Sequence, residues 1–167
     1  AFTVAAAFYL WLGLRNPQVG FAPDDAVYLL MAEAFGHAGA HFPGLDAYLR
    51  EQAQFPPIFP LLLAALGAGA EAVTPARIAV ALWLALAAVL FGVWLRAEGV
   101  SRWTSLAFVA CCAWWPPYWL LAVDVWSEGL FMCLAWACLL ALQGAARARQ
   151  VLGWALLAGV AAGLASG

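Results

Sequence analysis

The stretch Ile78–Leu95, IAVALWLALAAVLFGVWL, runs for 18 residues without a charged side chain. A helix that crosses a bilayer needs about 20 apolar residues, and about 17 suffice. Further uncharged runs lie on both sides of this stretch: Ala1–Leu14, Trp103–Val123, Gly129–Ala146 and Gln150–Gly167. We interpret the first of them as a truncated span because of its length. The pattern therefore predicts an all-α, polytopic bundle of transmembrane helices with five spans.

The composition of the whole chain also favours a membrane protein. Its 167 residues are 67% hydrophobic and 10% charged, whereas about 25% of the residues in soluble domains are charged. The basic residues are seven arginines and the net charge is −2, so the chain has no basic patch for nucleic acid. Four cysteines lie within apolar runs and are expected to pack as small side chains. Because both termini fall inside apolar runs, we expect residues 1–167 to be one transmembrane module, the N-terminal portion of a longer protein.

Arginines indicate the orientation of the bundle, because they collect in short cytoplasmic loops. They occupy two tight turns separated by two crossings, Arg96 with Arg102 and Arg147 with Arg149. We place both turns on the cytoplasmic side, which puts Asp124 and Glu128, one crossing away, on the outer face. An aromatic belt is expected at that outer interface, next to a pair of prolines. It consists of Trp114, Trp115, Trp119 and Trp126.

The segment Phe55–Ala70 decides where the rest of the chain lies. It is uncharged, but it has only 16 residues and contains three prolines, which limit regular helix. We predict that it does not cross the bilayer, so that residues 15–74 form a long outer loop carrying juxtamembrane helices. A crossing would instead place residues 15–54 on the cytoplasmic side. Within this loop, Asp25–Phe35 has apolar residues at helical spacing, which predicts an amphipathic helix along the membrane surface.

Two pairs of acidic residues are candidates for chemistry. Asp24 and Asp25 follow Pro23 at the expected start of a helix, where they can cap the helix or complement its dipole. One of them can also act as a general base. Asp124 and Glu128 are four residues apart and would share one face of a helix that begins there, or simply form a solvated helix end. In the predicted topology both pairs meet one interface, which favours a common site.

Three short strings along the chain carry a resemblance to a known family. They are Pro23-Asp24-Asp25-Ala26-Val27-Tyr28, Phe55-Pro56-Pro57-Ile58-Phe59-Pro60-Leu61 and Ser127-Glu128-Gly129-Leu130-Phe131. In this order they resemble the multi-pass C-type glycosyltransferases, and most nearly the branch of protein O-mannosyltransferases and lipid A aminoarabinose transferases. The resemblance extends over nearly the whole chain. Its specificity comes from the order and spacing of the strings together.

The resemblance implies roles for individual residues. Asp24 matches the first-loop aspartate that is the proposed catalytic base of the family, and Asp25 matches its acidic neighbour. Glu128 matches the acid of the second outer loop. Some members have a lysine before the paired prolines, where this chain has no basic residue. The expected contact to the donor phosphate is therefore Arg50 or Arg77.

A divalent cation is a further expectation from the resemblance, which leaves its presence open because relatives differ in metal dependence. Mg²⁺ or Mn²⁺ would be held by Asp25 and Glu128. His37 and His41 lie in the same outer loop. We expect both to face solvent, and metal ligation is the alternative for them.

Taken with the resemblance, these features predict an inverting glycosyltransferase of the cytoplasmic (inner) membrane. It would transfer a sugar from a polyprenyl-phosphate-linked donor to a hydroxyl of a lipid, glycan or protein acceptor at the outer face, with Asp24 as the base. One alternative is a transporter or flippase for a lipid-linked substrate, which needs acids at mid-span that the predicted spans lack. The other is a non-catalytic subunit of a membrane assembly.

Overall fold

The computed structural model describes residues 2–15, 23–37, 55–147 and 151–166, and all regular structure within them is helical. The all-α prediction is thus confirmed for the described residues. The helices are α1 (Phe2–Arg15), α2 (Pro23–His37), α3 (Ile58–Ala65), α4 (Val73–Ala97), α5 (Arg102–Trp114), α6 (Pro116–Val123), α7 (Glu128–Arg147) and α8 (Val151–Ser166).

Two of these helices are long and apolar enough to cross a membrane, α4 with 25 residues and α7 with 20. Helices α5 and α6 together make a third candidate, bent by 56° at a short break. The terminal helices α1 and α8 have 14 and 16 residues, or about 21 and 24 Å at 1.5 Å per residue. The described chain therefore supplies two to three full-length candidates for the five spans that the sequence predicts.

The break between α5 and α6 has a local cause in the paired prolines. Trp115 precedes Pro116 and is extended, with φ −74° and ψ 126°, as expected because proline disfavours helical backbone in the residue before it. The Trp115 amide ends α5 by donating to the Cys112 carbonyl at 3.1 Å. Pro116 then occupies the first position of α6, where its missing N–H costs nothing. The run predicted as one span consequently consists of two helices with a bend between them.

Helix α4 is the centre of the bundle, with α1, α5 and α7 packed against it. Its buried face is rich in alanine and includes Leu84, which is fully buried. Small residues let neighbouring helices approach closely in membranes. At Gly129, the second residue of α7, an added Cβ would lie 3.3 Å from Leu84 Cγ. On another side of the core, the Tyr9 hydroxyl donates to the Ala113 carbonyl at 3.3 Å and links α1 to the end of α5.

Helices α2 and α3 pack against each other and close the core at the end where α4 begins. Helix α3 has eight residues, or about 12 Å, and cannot cross a hydrocarbon core of about 30 Å. This agrees with the prediction for Phe55–Ala70. The predicted loop over residues 15–74 is described only at these helices and the turn after α3, so its outer position stays a prediction.

Helix α2 differs from the amphipathic surface helix that the sequence predicts. Tyr28 and Ala32 are buried as the pattern requires, but Val27 and Leu29 are buried as well, and Phe35 is exposed. Apolar residues therefore occupy several faces of α2. The helix is packed among neighbouring elements on more than one side, and its position along the membrane surface stays a prediction.

Candidate functional site

Three charged side chains from separate parts of the chain are buried at one end of the bundle. They are Asp25 in the first turn of α2, Arg77 near the start of α4, and Asp124 just after α6, with exposures of 1%, 8% and 6%. Burial raises the pKa of Asp124, the Asp25 charge raises it further, and the Arg77 guanidinium opposes both effects. Asp25 and Arg77 therefore both act on the charge of Asp124; we call the three residues the buried charge cluster.

The local packing explains how these residues meet. Gly13 lies where α1 passes the end of α6, and a Cβ there would come within 2.8 Å of the Ala122 carbonyl oxygen and 3.8 Å of Arg77 Cβ. Only a glycine allows α1 this close approach. Helix α6 then ends at Val123, and the extended backbone of the next residue, Asp124, with φ −109° and ψ 166°, turns the chain away from the helix. Burial of carboxylates is costly without a compensating charge, and Arg77 supplies that charge.

A second group of polar side chains surrounds the hydroxyl of Tyr28. Tyr28 Oη and Ser127 Oγ are 3.2 Å apart and hydrogen bonded. Burial raises the pKa of Tyr28, the hydrogen bond to Ser127 lowers it, and the charges of Glu128 and Asp24 raise it. Both acids are thus close enough to act on one hydroxyl, although about a hundred residues separate them. The structure brings these sequence-predicted residues together around Tyr28.

Asp124 and Glu128 do not share a helix face as the sequence suggests. Helix α7 begins at Glu128, and Asp124 lies in the turn before it. Asp124 is buried beside Arg77, whereas Glu128 is exposed. The extended backbone at Asp124 breaks the four-residue spacing that a continuous helix would need, and the two acids join different groups.

A groove leads away from Ser127 and Glu128 along the apolar sides of the helices. Its first part is a cavity of about 260 Å³ lined by those two residues and by apolar side chains of α3, α7 and α8. Leu134 and Leu164 are shared with a second cavity of about 400 Å³ between α4, α7 and α8, which is lined entirely by apolar side chains. The groove therefore has a polar end and a long apolar part, as the binding of an amphiphile requires.

The remaining predicted site residues have different outcomes. Arg50 and His41, and the side chain of His37, lie outside the described residues. Arg77 is described, and its burial among carboxylates makes charge compensation its evident role. Its contact to a donor phosphate stays a prediction. Sequence reasoning missed Glu33, a buried acid in an apolar helix, which accepts a hydrogen bond from the Ala70 amide at 2.8 Å.

The cation site suggested for Asp25 and Glu128 gains no support from their surroundings. Asp25 is buried within the charge cluster, and Glu128 is exposed at the groove. Within the part of the chain that the structure describes, no three or more His, Cys, Asp or Glu side chains are grouped to hold a metal ion. Relatives give no further guide to the chemistry of the site, because comparison of this chain with protein-family models, curated proteins and solved structures finds no match.

Proposed function

We propose that this chain belongs to a membrane glycosyltransferase that uses a polyprenyl-phosphate-linked sugar. The observation that carries the proposal is the hydrogen bond between Tyr28 and Ser127, which joins the start of α2, with Asp24, to the start of α7, with Glu128, beside a groove with one polar end. A lipid-phosphate donor has the same distribution of chemistry, with a charged head and a long apolar tail. The family resemblance supplies the donor class, and the groove is consistent with it.

In the proposed reaction, Asp24 is the general base. It is exposed at the start of α2, so an acceptor hydroxyl can reach it. Asp24 takes the hydroxyl proton while the acceptor oxygen forms a bond to the anomeric carbon of the sugar. The bond from that carbon to the lipid phosphate oxygen breaks, and the lipid phosphate leaves as an anion, with inversion at carbon. An activated donor of this kind needs mainly positioning and a base.

The buried charge cluster has a positioning role in this proposal. Asp25 is adjacent to Asp24 in the chain and is held beside Asp124 and Arg77. In this proposal the attraction of Arg77 for the acids holds the N-terminus of α2 near the turn before α7, and so positions Asp24 relative to Glu128. Arg50 or Arg77 remains the proposed contact to the donor phosphate, and no step is assigned to a cation.

The proposed location is the outer face of the cytoplasmic membrane. Support comes from two helices, α4 and α7, that are long and apolar enough to cross it. The paired arginines mark the opposite ends of these helices as cytoplasmic. Asp25 and Arg77, near the starts of α2 and α4, and Glu128, at the start of α7, then lie toward the outer face.

The test is transfer from a labelled polyprenyl-phosphate sugar by the full-length protein in detergent. Asp24→Asn should lower the rate about 100-fold or more, because it removes a positioned base while keeping the shape and capping ability of the side chain. Glu71→Gln is the matched control, because it neutralises an exposed acid in the α3–α4 turn and should leave the rate unchanged. Near-normal transfer by Asp24→Asn would reduce Asp24 to a helix cap. Binding of the labelled lipid without any transfer by the unmodified protein would favour a flippase or an assembly subunit.

A further inference from the structure

A second amphipathic groove lies between α4 and α5, at the other end of α4 from the candidate site. Its cavity of about 360 Å³ is lined by Arg96, Arg102 and Ser105 together with five apolar or small residues. The apolar and small lining residues are Val89, Gly92, Val93, Leu106 and Val109. Arg77 and Arg96 are 19 residues apart on one helix, or about 28 Å. This groove is therefore separate from the groove at Glu128.

Ser105 is the residue in the groove that most needs a partner. Its side chain is only 4% exposed, and Ser105 Oγ has no hydrogen-bond partner in the structure. A buried hydroxyl without a hydrogen bond is energetically costly. The neighbouring hydroxyls do not satisfy it, because Ser101 and Thr104 bond to each other at 2.7 Å. An oxygen-rich group bound in the groove would satisfy it.

The mouth of the groove is positively charged. Arg96 Nη1 donates to the Val100 carbonyl at 2.6 Å, which leaves its other N–H groups for a ligand. The Arg102 guanidinium lies 5.8 Å from the centre of the exposed Trp103 ring. The acid of this turn, Glu98, is held on the α7 side, where its carboxylate accepts a hydrogen bond from Gln143. An anion at the mouth would thus meet two guanidinium groups.

The apolar part of the groove continues along α5. Leu106 and Val109 also line a cavity of about 320 Å³ between α1 and α5, which ends at Trp114. The 13 residues of α5 extend over about 20 Å. One leaflet is half of a hydrocarbon core of about 30 Å. The path is therefore long enough for an acyl chain that remains in one leaflet.

We propose that this α4–α5 groove binds one anionic glycerophospholipid of the surrounding membrane. Its phosphate contacts Arg96 and Arg102, an ester oxygen accepts a hydrogen bond from Ser105 Oγ, and an acyl chain lies along α5 toward Trp114. Three independent features require this combination: paired cations at the mouth, an unsatisfied buried hydroxyl below them, and a continuous apolar path beyond. The proposal does not depend on the reaction proposed for the other groove.

The test is retention of phospholipid by the full-length protein, measured by native mass spectrometry. The protein is reconstituted in vesicles of phosphatidylcholine and phosphatidylglycerol and extracted in mild detergent. Unmodified protein should retain phosphatidylglycerol in preference to phosphatidylcholine. Arg102→Gln should weaken retention about fivefold, the usual effect of one basic residue at an anionic lipid surface. Ser105→Leu should weaken it as well, because it fills the groove and removes the hydroxyl.

Arg147→Gln is the matched control for charge. Arg147 is the last residue of α7 and donates to the Ala97 carbonyl at the end of α4, but it does not line the groove. Its substitution should leave retention unchanged. Equal losses in Arg147→Gln and Arg102→Gln would overturn the proposal, as would the absence of any preference for phosphatidylglycerol. Displacement of the lipid by added inorganic phosphate would also overturn it, because the site would then be one for a soluble anion. Arg102 is exposed, so we expect Arg102→Gln to fold. It therefore tests the proposed lipid site even if Ser105→Leu fails to fold.

Discussion

At the scale of single residues, Asp124 lowers the stability of the fold to an extent that depends on pH. Burial, and next the charge of Asp25, raise the pKa of Asp124 above its ordinary value of 3.8. The folded chain therefore binds this proton more tightly than the unfolded chain does. Stability from this group is fully present below pH 3.8 and is lost as the pH rises through the higher folded pKa. The environment of Asp124 in the folded protein thus favours the neutral form of the side chain.

Asp124→Asn should accordingly raise the melting temperature at neutral pH. The amide keeps the size of the side chain and has no proton to lose, so the difference from the unmodified protein should shrink as the pH falls toward 4. Thermal unfolding in detergent at several pH values measures this difference. Glu71→Gln, at an exposed acid, controls for the loss of one negative charge. A variant that is less stable at pH 7 would show that attraction to Arg77 outweighs burial.

The sequence indicates some of these residues much better than others. Asp24 and Glu128 stand out because each begins a helix within a recognisable string. The association of Asp25 and Arg77 with Asp124 leaves no such trace, because it depends on tertiary packing, such as the close approach of α1 to Ala122 and Arg77 at Gly13. Tyr28 and Ser127 lie inside the same strings, but their hydrogen bond connects positions 99 residues apart. Local patterns can identify a capping acid, whereas burial and pairing follow from tertiary packing.

At the scale of elements, Glu33 holds α2 to the turn that follows α3. Its carboxylate accepts the Ala70 amide, and a Cβ at Gly69 would lie 3.0 Å from Glu33 Oε2. Glu33→Ala should lower the free energy of unfolding by about 1–3 kcal/mol, the usual cost of removing a hydrogen bond to a charged group. Glu33→Gln should recover part of the loss, because its amide oxygen can accept the same bond. Unfolding of both variants in detergent, compared with Glu71→Ala, checks this. Equal stability of the Ala and Gln variants would mean that the hydrogen bond contributes nothing.

The elements themselves were predictable to different degrees. The length of their uncharged runs located α4 and α7. The helical spacing of apolar residues in Asp25–Phe35 located α2 to within two residues at each end. The pattern considered Tyr28 and Ala32 but ignored Val27 and Leu29, which are buried on other faces of α2. The paired prolines were assigned to a membrane interface, and they also break the helix at Trp115. Hydrophobicity alone identifies an apolar run, whereas backbone constraints decide whether that run forms one straight helix.

At the scale of the whole molecule, the candidate site restricts the topology. Tyr28 and Ser127 are hydrogen bonded, so the starts of α2 and α7 lie on one side of the bundle. Asp25 and Arg77 both act on Asp124, which adds the start of α4 to the same side. Helix α3, between α2 and α4, is too short to cross. Together these observations favour the predicted topology, in which the proline-rich segment enters and leaves on a single face.

Single cysteines in a chain without its four native cysteines can test this topology. Glu51→Cys and Glu71→Cys flank the proline-rich segment, and both should react with an impermeant maleimide added outside intact cells. Glu98→Cys follows the 25-residue helix α4, which at about 37 Å is long enough to cross the bilayer. It should react only after the membrane is permeabilised, and it serves as the control for sidedness. Labelling of Glu51→Cys and Glu71→Cys from opposite sides would place Asp24 across the membrane from Glu128. The site around Tyr28 and the proposed transfer reaction would then both be wrong, because neither can form from two faces of a bilayer.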